Sequence, residues 1–231
     1  MRPGRIHGRF LTSAVALCSS ILLVGFTGGS AEAASTVRGL WHLNEKSGSI
    51  AYDSSGKGNN GTNYGATIGV EGHLLTAYAF DSTNAHVLVP SSATLNPGRA
   101  NFSYSAWVNF TVAPGSGQTY DIVRKGVTTT SGGEFKLEIY EGGRARCTAK
   151  DSAALLGVIQ GPRTSLADGR WHQITCKRAG STWSVTVDGQ VRSKTVAFGS
   201  ISNASALSIG SKYGTADGTP GRIDEVRLAI G

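Results

Sequence analysis

The chain has 231 residues, 32 of them Gly, and its 22 Lys and Arg outnumber 15 Asp and Glu to give a formal net charge of +7. This length suits one substantial domain beside any targeting segment. The basic residues are scattered rather than grouped in a stripe, which argues against a nucleic-acid-binding protein and favours solubility with weak attraction to acidic polymers.

The N-terminal segment predicts a secretory signal peptide over residues 1–33. Arg2, Arg5 and Arg9 precede an apolar run from Phe10 to Phe26, and Ala31-Glu32-Ala33 has the form of a cleavage site. The run is short and interrupted by polar residues for a membrane span, which needs about 20 apolar residues. We therefore expect a secreted chain of residues 34–231 without a membrane span, a retained N-terminal anchor being the alternative.

The next informative stretch is 53-DSSGKGNNGT-62, whose Gly56, Gly58 and Gly61 form G-x-G-x-x-G. A dinucleotide-binding loop would need a strand before this pattern and a helix after it. Turn-like residues flank it on both sides, so the glycines instead predict a tight loop. Its carbonyls, with Asp53, Asn59 and Asn60, offer the oxygen atoms that a hard cation prefers.

The rest of the sequence predicts short strands. In 102-FSYSAWVNF-110, Phe102, Tyr104 and Ala106 share one face, whereas Trp107 lies on the other with polar neighbours. Glu141-Gly142-Gly143 and Asp188-Gly189 predict tight hairpins. These strands without a helical period predict one all-β domain, an antiparallel β-sandwich. The other predicted strands cover 77–81, 85–90, 120–125, 134–140, 143–149, 171–178, 182–187, 191–198, 206–210 and 222–230.

Cleavage would leave two cysteines, Cys147 and Cys176. An even number in an exported chain predicts one disulfide bond, with two buried free thiols as the alternative.

Six segments together resemble the laminin-G-like, concanavalin A-like lectin/glucanase domain of secreted bacterial proteins. The resemblance covers about 37–231 and implies a jelly-roll β-sandwich that binds glycans or protein partners. The segments are 41-WHLNEKSGSIAYDSSGKGNNGT-62, 78-YAFDSTNAHVLVP-90, 102-FSYSAWV-108, 171-WH-172, 188-DG-189 and 223-IDEVR-227.

The same resemblance implies a structural calcium ion that joins an N-terminal loop to the last strand. Carried over, its ligands are Asp53, Asn60 and Asp224, with Asp81 a weaker candidate. The alternative is that Asp53 caps a turn and Asp224 forms a salt bridge.

Catalytic signatures are missing from the sequence. Glycoside hydrolases of this superfamily carry an E-x-D-x-x-E strand, whereas 134-EFKLE-138 offers Glu134 and Glu138 with no Asp between them. We expect these two glutamates on a solvated outer face. His172 reads as a packed or half-exposed side chain, so the sequence predicts a non-catalytic protein.

Exposed aromatic side chains are the candidate ligand-binding residues. Trp107 is the aromatic residue least explained by the core, and Tyr120 and Tyr140 lie near predicted loop ends. Tyr213, Arg124, Arg144 and Lys212 are candidates for the rim of the same site.

Three functions stay open at this point. The first is a secreted, non-catalytic module that binds a glycan or cell-surface polysaccharide. The second is a protein–protein interaction or structural module without a sugar site. The third is a glycoside hydrolase or polysaccharide lyase.

Overall fold

The computed structural model describes Met1, Gly4, 35–81 and 83–231. The chain divides into two units, Met1–Glu32 and Ala33–Gly231, and every element below belongs to the second. The predicted signal peptide, 1–33, lies outside the described residues except for Met1 and Gly4. Within the described part of the chain, no helix is long and apolar enough to cross a membrane.

The described residues form strands and two short 3-10 helices, Ala93–Leu95 and Glu141–Gly143. In chain order the strands are β1 Thr36–Trp41, β2 Ile50–Ala51, β3 Gly61–Tyr64, β4 Thr67–Glu71, β5 Thr76–Phe80, β6 His86–Val89, β7 Phe102–Asn109, β8 Thr119–Lys125, β9 Glu134–Tyr140, β10 Arg144–Lys150, β11 Leu156–Gln160, β12 His172–Ala179, β13 Thr182–Val187, β14 Gln190–Thr195, β15 Leu207–Ile209 and β16 Gly221–Ile230.

These strands form two antiparallel sheets packed as a jelly-roll sandwich, which confirms the predicted fold class. The first sheet has the order β14-β13-β12-β7-β16-β5-β4, and β1 also pairs with β16. The second sheet has the order β11-β10-β9-β8-β15-β6-β3-β2.

The core lies between the sheets and follows the alternation of the sequence. On β7, Phe102, Tyr104 and Ala106 are buried while Ser103 and Ser105 face outward. Trp183 of β13 is also fully buried. The predicted Asp188-Gly189 hairpin joins β13 to β14, and both residues have the positive φ that a type I′ turn requires (48° and 81°).

The disulfide prediction is confirmed, because Cys147 of β10 is bonded to Cys176 of β12. Both residues are buried, so the bond ties the second sheet to the first through the core. A disulfide is typical of an oxidising, extracellular setting.

The glycine-rich loop leads into strand β3 rather than a helix, so it is not a dinucleotide-binding element. Gly56 and Gly58 adopt φ of 75° and 72°, which L side chains rarely adopt. Gly61 has a different role, since a Cβ there would lie 2.5 Å from a methyl group of Val87.

Candidate ligand-binding face

The outer side of the second sheet carries a layer of charged side chains that we call the polar face. It exists because β9 alternates: Phe135, Leu137 and Ile139 enter the core, and the residues between them point outward. The neighbouring strand β10 pairs with β9 residue for residue, and β8 pairs with β9 through a register shift between Asp121 and Val123. The polar face comprises Asp121, Arg124, Glu134, Lys136, Glu138, Tyr140, Arg144, Arg146 and Thr148.

Glu138 lies at the centre of the polar face. Its Oε1 accepts hydrogen bonds from Arg146 Nε at 2.6 Å and from the Thr148 hydroxyl at 3.2 Å, and its Oε2 accepts one from Lys136 Nζ at 2.5 Å. Burial alone would raise the pKa of Glu138, but the two cations outweigh it and lower the pKa. Glu138 is therefore an ionised carboxylate beneath Lys136 and Arg146.

A second charged group surrounds Arg124 on β8. Its guanidinium donates to Asp121 Oδ2 and, at 3.4 Å, to Glu134 Oε2, and Asp217 Oδ2 lies 4.0 Å away. Burial raises the pKa of Asp121 to about 6, although Arg124 favours its charged form. The other carboxylate oxygen of Asp121, Oδ1, is buried and accepts no hydrogen bond from the described residues.

The expectation that Glu134 and Glu138 lie on a solvated surface is wrong. Both face outward, as predicted, but their exposed fractions are 1% and 0%. Arg124 of β8 pairs with Glu134, while Arg146 of β10 and Lys136 of β9 itself pair with Glu138. Sequence alternation gives the direction of a side chain, whereas its coverage also depends on the side chains that strand pairing places beside it.

The segment 210–219 borders the polar face and is fixed to β8. Asp121 N donates to Asp217 O at 2.8 Å, and the Thr219 hydroxyl donates to Asp121 O at 3.0 Å. Tyr213 and Asp217 both have a φ of 53°, an unusual conformation for side-chain-bearing residues. Such strain is found where surrounding contacts hold a segment in one conformation, and it often accompanies binding sites.

Of the predicted ligand-binding residues, Tyr120 on β8 lies beside this segment, and Tyr140 lies on the next strand, β9. A polar groove of about 460 Å³ is lined by 117–120 and by Asp217 and Gly218. Tyr120 lines it but is only 9% exposed, since its ring points inward against Phe110. Tyr140 pairs with Thr119, which lines the groove, and is half-buried on the polar face.

Arginines surround Tyr140. The Arg146 guanidinium carbon lies 4.0 Å from the centre of the Tyr140 ring, and Arg144 pairs with Tyr140 across the strands. Arg144 Nη2 donates to Gln160 Oε1 at 2.6 Å. Arg144 is among the rim residues predicted from the sequence and Arg146 is not, although the alternation in 143-GRARCTA-149 places both on the side opposite the buried Cys147.

Trp107 is not part of this site, because it lies on the outer side of the first sheet. There the His73 ring stacks on it with centroids 3.5 Å apart, and Trp171 contacts His73 edge-on. The β4–β5 hairpin thus covers the tryptophan that the sequence singled out. Its tip exposes Leu74 and Leu75, the latter 79% exposed.

The predicted calcium ligands have protein partners. Asp53 Oδ1 accepts hydrogen bonds from Leu40 N and Ser55 N, its Oδ2 from the Ser55 hydroxyl and Asn59 N, and Asn60 Oδ1 accepts from Asp53 N. Burial would raise the pKa of Asp53, but these donors outweigh it and lower the pKa.

Asp224 belongs to a different contact. Its carboxylate accepts hydrogen bonds from Leu74 N at 2.9 Å and Glu225 N at 2.8 Å, which fixes the β4–β5 hairpin. Backbone N–H groups thus occupy both oxygens of the Asp224 carboxylate, as protein donors occupy those of Asp53. Calcium stays an untested prediction.

His172 holds two loops together. Its Nδ1 lies 2.7 Å from Asp188 Oδ2 and its Nε2 lies 2.9 Å from Asp168 Oδ1. Partial burial would lower the pKa of His172, but the two carboxylates outweigh it and raise the pKa. The three residues border a cavity of about 130 Å³, which is smaller than the ligand pockets of roughly 300–1,000 Å³ found in most proteins.

Comparison with known proteins places the chain in a family. The profile of the concanavalin A-like lectin/glucanases superfamily matches residues 81–229, so the chain belongs to this superfamily. No curated protein sequence matches it.

Solved structures share the fold at low identity. The binding domain of Paraclostridial Mosquitocidal Protein 1 is 17% identical with a TM-score of 0.68, over 84% of this chain and 48% of that one. Domain 4 of AbnA, a GH43 extracellular arabinanase from Geobacillus stearothermophilus in complex with arabinotriose, is 15% identical with a TM-score of 0.64, over 85% and 93%.

The binding domain of Botulinum neurotoxin DC, in complex with rat synaptotagmin II, is 13% identical with a TM-score of 0.63, over 84% of this chain and 48% of that one. The chain therefore spans about half the length of the toxin binding domains that it matches. These neighbours are binding domains, and the likeness to them shows the fold alone.

Proposed function

We propose that the protein is a non-catalytic carbohydrate-binding module whose site is the polar face with its adjoining groove. The observation that carries the proposal is the groove of about 460 Å³ beside Tyr140. Its volume lies within the range of small-ligand sites. Charged and amide side chains along one edge supply the directed hydrogen bonds that sugar hydroxyls require.

The carboxylates support binding rather than hydrolysis. A glycoside hydrolase needs an acid and a base or nucleophile that reach the glycosidic bond. Asp121 and Glu138 pair across adjacent strands and have pKa shifts in opposite directions, yet each is 0% exposed. Buried carboxylates that are bonded to arginine and lysine support a role in fixing the surface above them.

The comparisons add support of a limited kind. A solved neighbour of similar size is a domain in complex with arabinotriose, and the fold is shared over most of that domain. The disulfide bond and the predicted signal peptide support export, so we propose an extracellular location and a glycan or cell-surface polysaccharide as the partner.

A protein partner is the second candidate. It is favoured by the exposed Leu74 and Leu75 at the tip of the β4–β5 hairpin, since exposed apolar residues grouped together are typical of protein contacts. Another solved neighbour is in complex with synaptotagmin.

Calorimetric titration with a panel of soluble polysaccharides and oligosaccharides tests the first proposal. We expect Tyr140→Ala to weaken binding roughly tenfold or more, which corresponds to about 1.4 kcal/mol. Arg192→Ala on the exposed edge strand β14 is the control and leaves affinity unchanged. Binding that Trp107→Ala abolishes and Tyr140→Ala spares would place the site on the first sheet instead. Absence of binding to every glycan would favour the protein-partner candidate.

A further inference from the structure

We infer that the glycan bound at the polar face carries a carboxylate, as a uronic acid does, and that the Arg146 guanidinium binds it beside Arg144. This inference rests on the proposed function and names the class of its ligand.

Arg146 is held in place before any ligand binds. Its Nε donates to Glu138 Oε1 at 2.6 Å, and its guanidinium carbon lies 4.0 Å from the centre of the Tyr140 ring. Among the described residues only Nε of Arg146 has a hydrogen-bond partner, so its two terminal nitrogens remain for a ligand, and 19% of the side chain reaches the surface. A fixed guanidinium fork matches the two oxygens of a carboxylate, and it loses little conformational entropy on binding.

In this arrangement Tyr140 orients an arginine instead of stacking on a sugar. The Arg146 guanidinium already occupies one side of its ring, so that side cannot stack on a sugar. Tyr140 is instead a positioning residue, which orients Arg146 through a cation–π contact.

Charge is unevenly distributed over the polar face. On the β9–β10 side, Lys136 and Arg146 share the single carboxylate of Glu138, which leaves positive charge in excess. Around Arg124 of β8, three carboxylates share one cation: those of Asp121, Asp217 and Glu134. An anionic group is therefore attracted to the β10 side, and neighbouring neutral sugar units fit toward the groove near Asp217.

Arg144 provides a second cationic group for the same ligand. Its Nη2 donates to Gln160 at 2.6 Å, while its Nε is buried without a partner among the described residues. Arg144 and Arg146 are two residues apart on β10 and point to the same side. Their spacing places two guanidinium groups along one edge of the site.

The test compares each uronate polymer with its own methyl ester, because esterification removes the charge and keeps the sugar backbone. Calorimetry with polygalacturonate, alginate and hyaluronate oligosaccharides, and with their esters, measures the difference. We expect one acid form to bind roughly 10- to 100-fold more tightly than its ester, which is the range for a hydrogen bond to a charged group.

Variants identify the residue responsible. Arg146→Lys keeps the charge but removes the fork, so we expect it to lose most of the preference for the acid over the ester. Tyr140→Phe keeps the ring and retains the preference, whereas Tyr140→Ala reduces it. Arg192→Lys on β14 is the matched control and retains the wild-type preference, and thermal melting checks that each variant is folded.

Three results would overturn the inference. If the acid and its ester bind equally tightly, or if a neutral arabinan binds as tightly as the acid, and Tyr140→Ala weakens that binding, the proposed function stands but recognition of a carboxylate is refuted. Equal binding of a sulfated polymer would show attraction to any anion instead of recognition of a carboxylate. Absence of binding to every glycan would refute both the inference and the proposed function.

Discussion

Replacing Glu138 with Gln tests whether this buried carboxylate stabilises the polar face. The change keeps the shape of the side chain and removes the charge that Lys136 and Arg146 share. Breaking a buried ion pair commonly costs about 3–5 kcal/mol of unfolding free energy. Both cations reach the surface in part and can regain water, so we expect a loss below this range, about 2–3 kcal/mol.

This loss corresponds to a fall in melting temperature of roughly 5–10 °C for a domain of this size. Differential scanning calorimetry at pH 7, with the disulfide intact, measures it. Glu71→Gln is the control, because Glu71 is exposed and pairs with Arg222 at 3.6 Å on the surface. Surface pairs contribute at most about 1 kcal/mol.

The same variant has a pH signature. The pKa of Glu138 is lowered in the folded state from a reference of 4.5, so its stabilisation is present above the unfolded pKa and is lost as pH falls through the folded pKa. The difference in melting temperature between wild type and Glu138→Gln should therefore narrow at acidic pH. A difference within about 1 °C at pH 7, or one that does not change with pH, would refute the reasoning.

Three further predictions concern the rest of the domain. Replacing Cys147 and Cys176 with Ala is expected to cost about 2–5 kcal/mol of stability, measured by chemical denaturation; unchanged stability would show that the bond is dispensable. Each carboxylate oxygen of Asp53 already accepts two hydrogen bonds. We therefore expect that adding calcium to chelator-treated protein leaves the melting temperature unchanged. A rise of roughly 5–10 °C that Asp53→Ala abolishes would instead establish the calcium site predicted by the family resemblance. Asp188 helps raise the pKa of His172, so NMR titration should give His172 a pKa above 6.5, and Asp188→Asn should lower that pKa. The stabilisation by this contact should be present at acidic pH and lost as pH rises through the folded pKa of His172.

Much of the fold was predictable from local patterns. Alternation of apolar and polar residues predicted strands 134–140 and 182–187 with the bounds that the structure has. The strands that the sequence left out were weaker signals. β4, for example, has the burial pattern of a largely exposed strand, and it pairs with β5 through an irregular register.

The site residues also show which features a local pattern predicts and which it does not. The sequence determined which side chains point outward: Trp107, Tyr140, Glu138 and the arginines of β10 all follow the two-residue period of a strand. It also determined the disulfide pair, since cleavage of the predicted signal peptide would leave two cysteines.

Only the tertiary structure decided which outward side chains are available. Trp107 is covered by His73, and Glu138 is buried beneath Lys136 and Arg146. Lys136 lies on β9 with Glu138, but Arg146 reaches Glu138 through the pairing of β9 with β10, and His73 reaches Trp107 through the order of strands in the first sheet. A strand pattern encodes the direction of each side chain, whereas the side chains that cover it from other strands are placed there by pairing that no local pattern specifies.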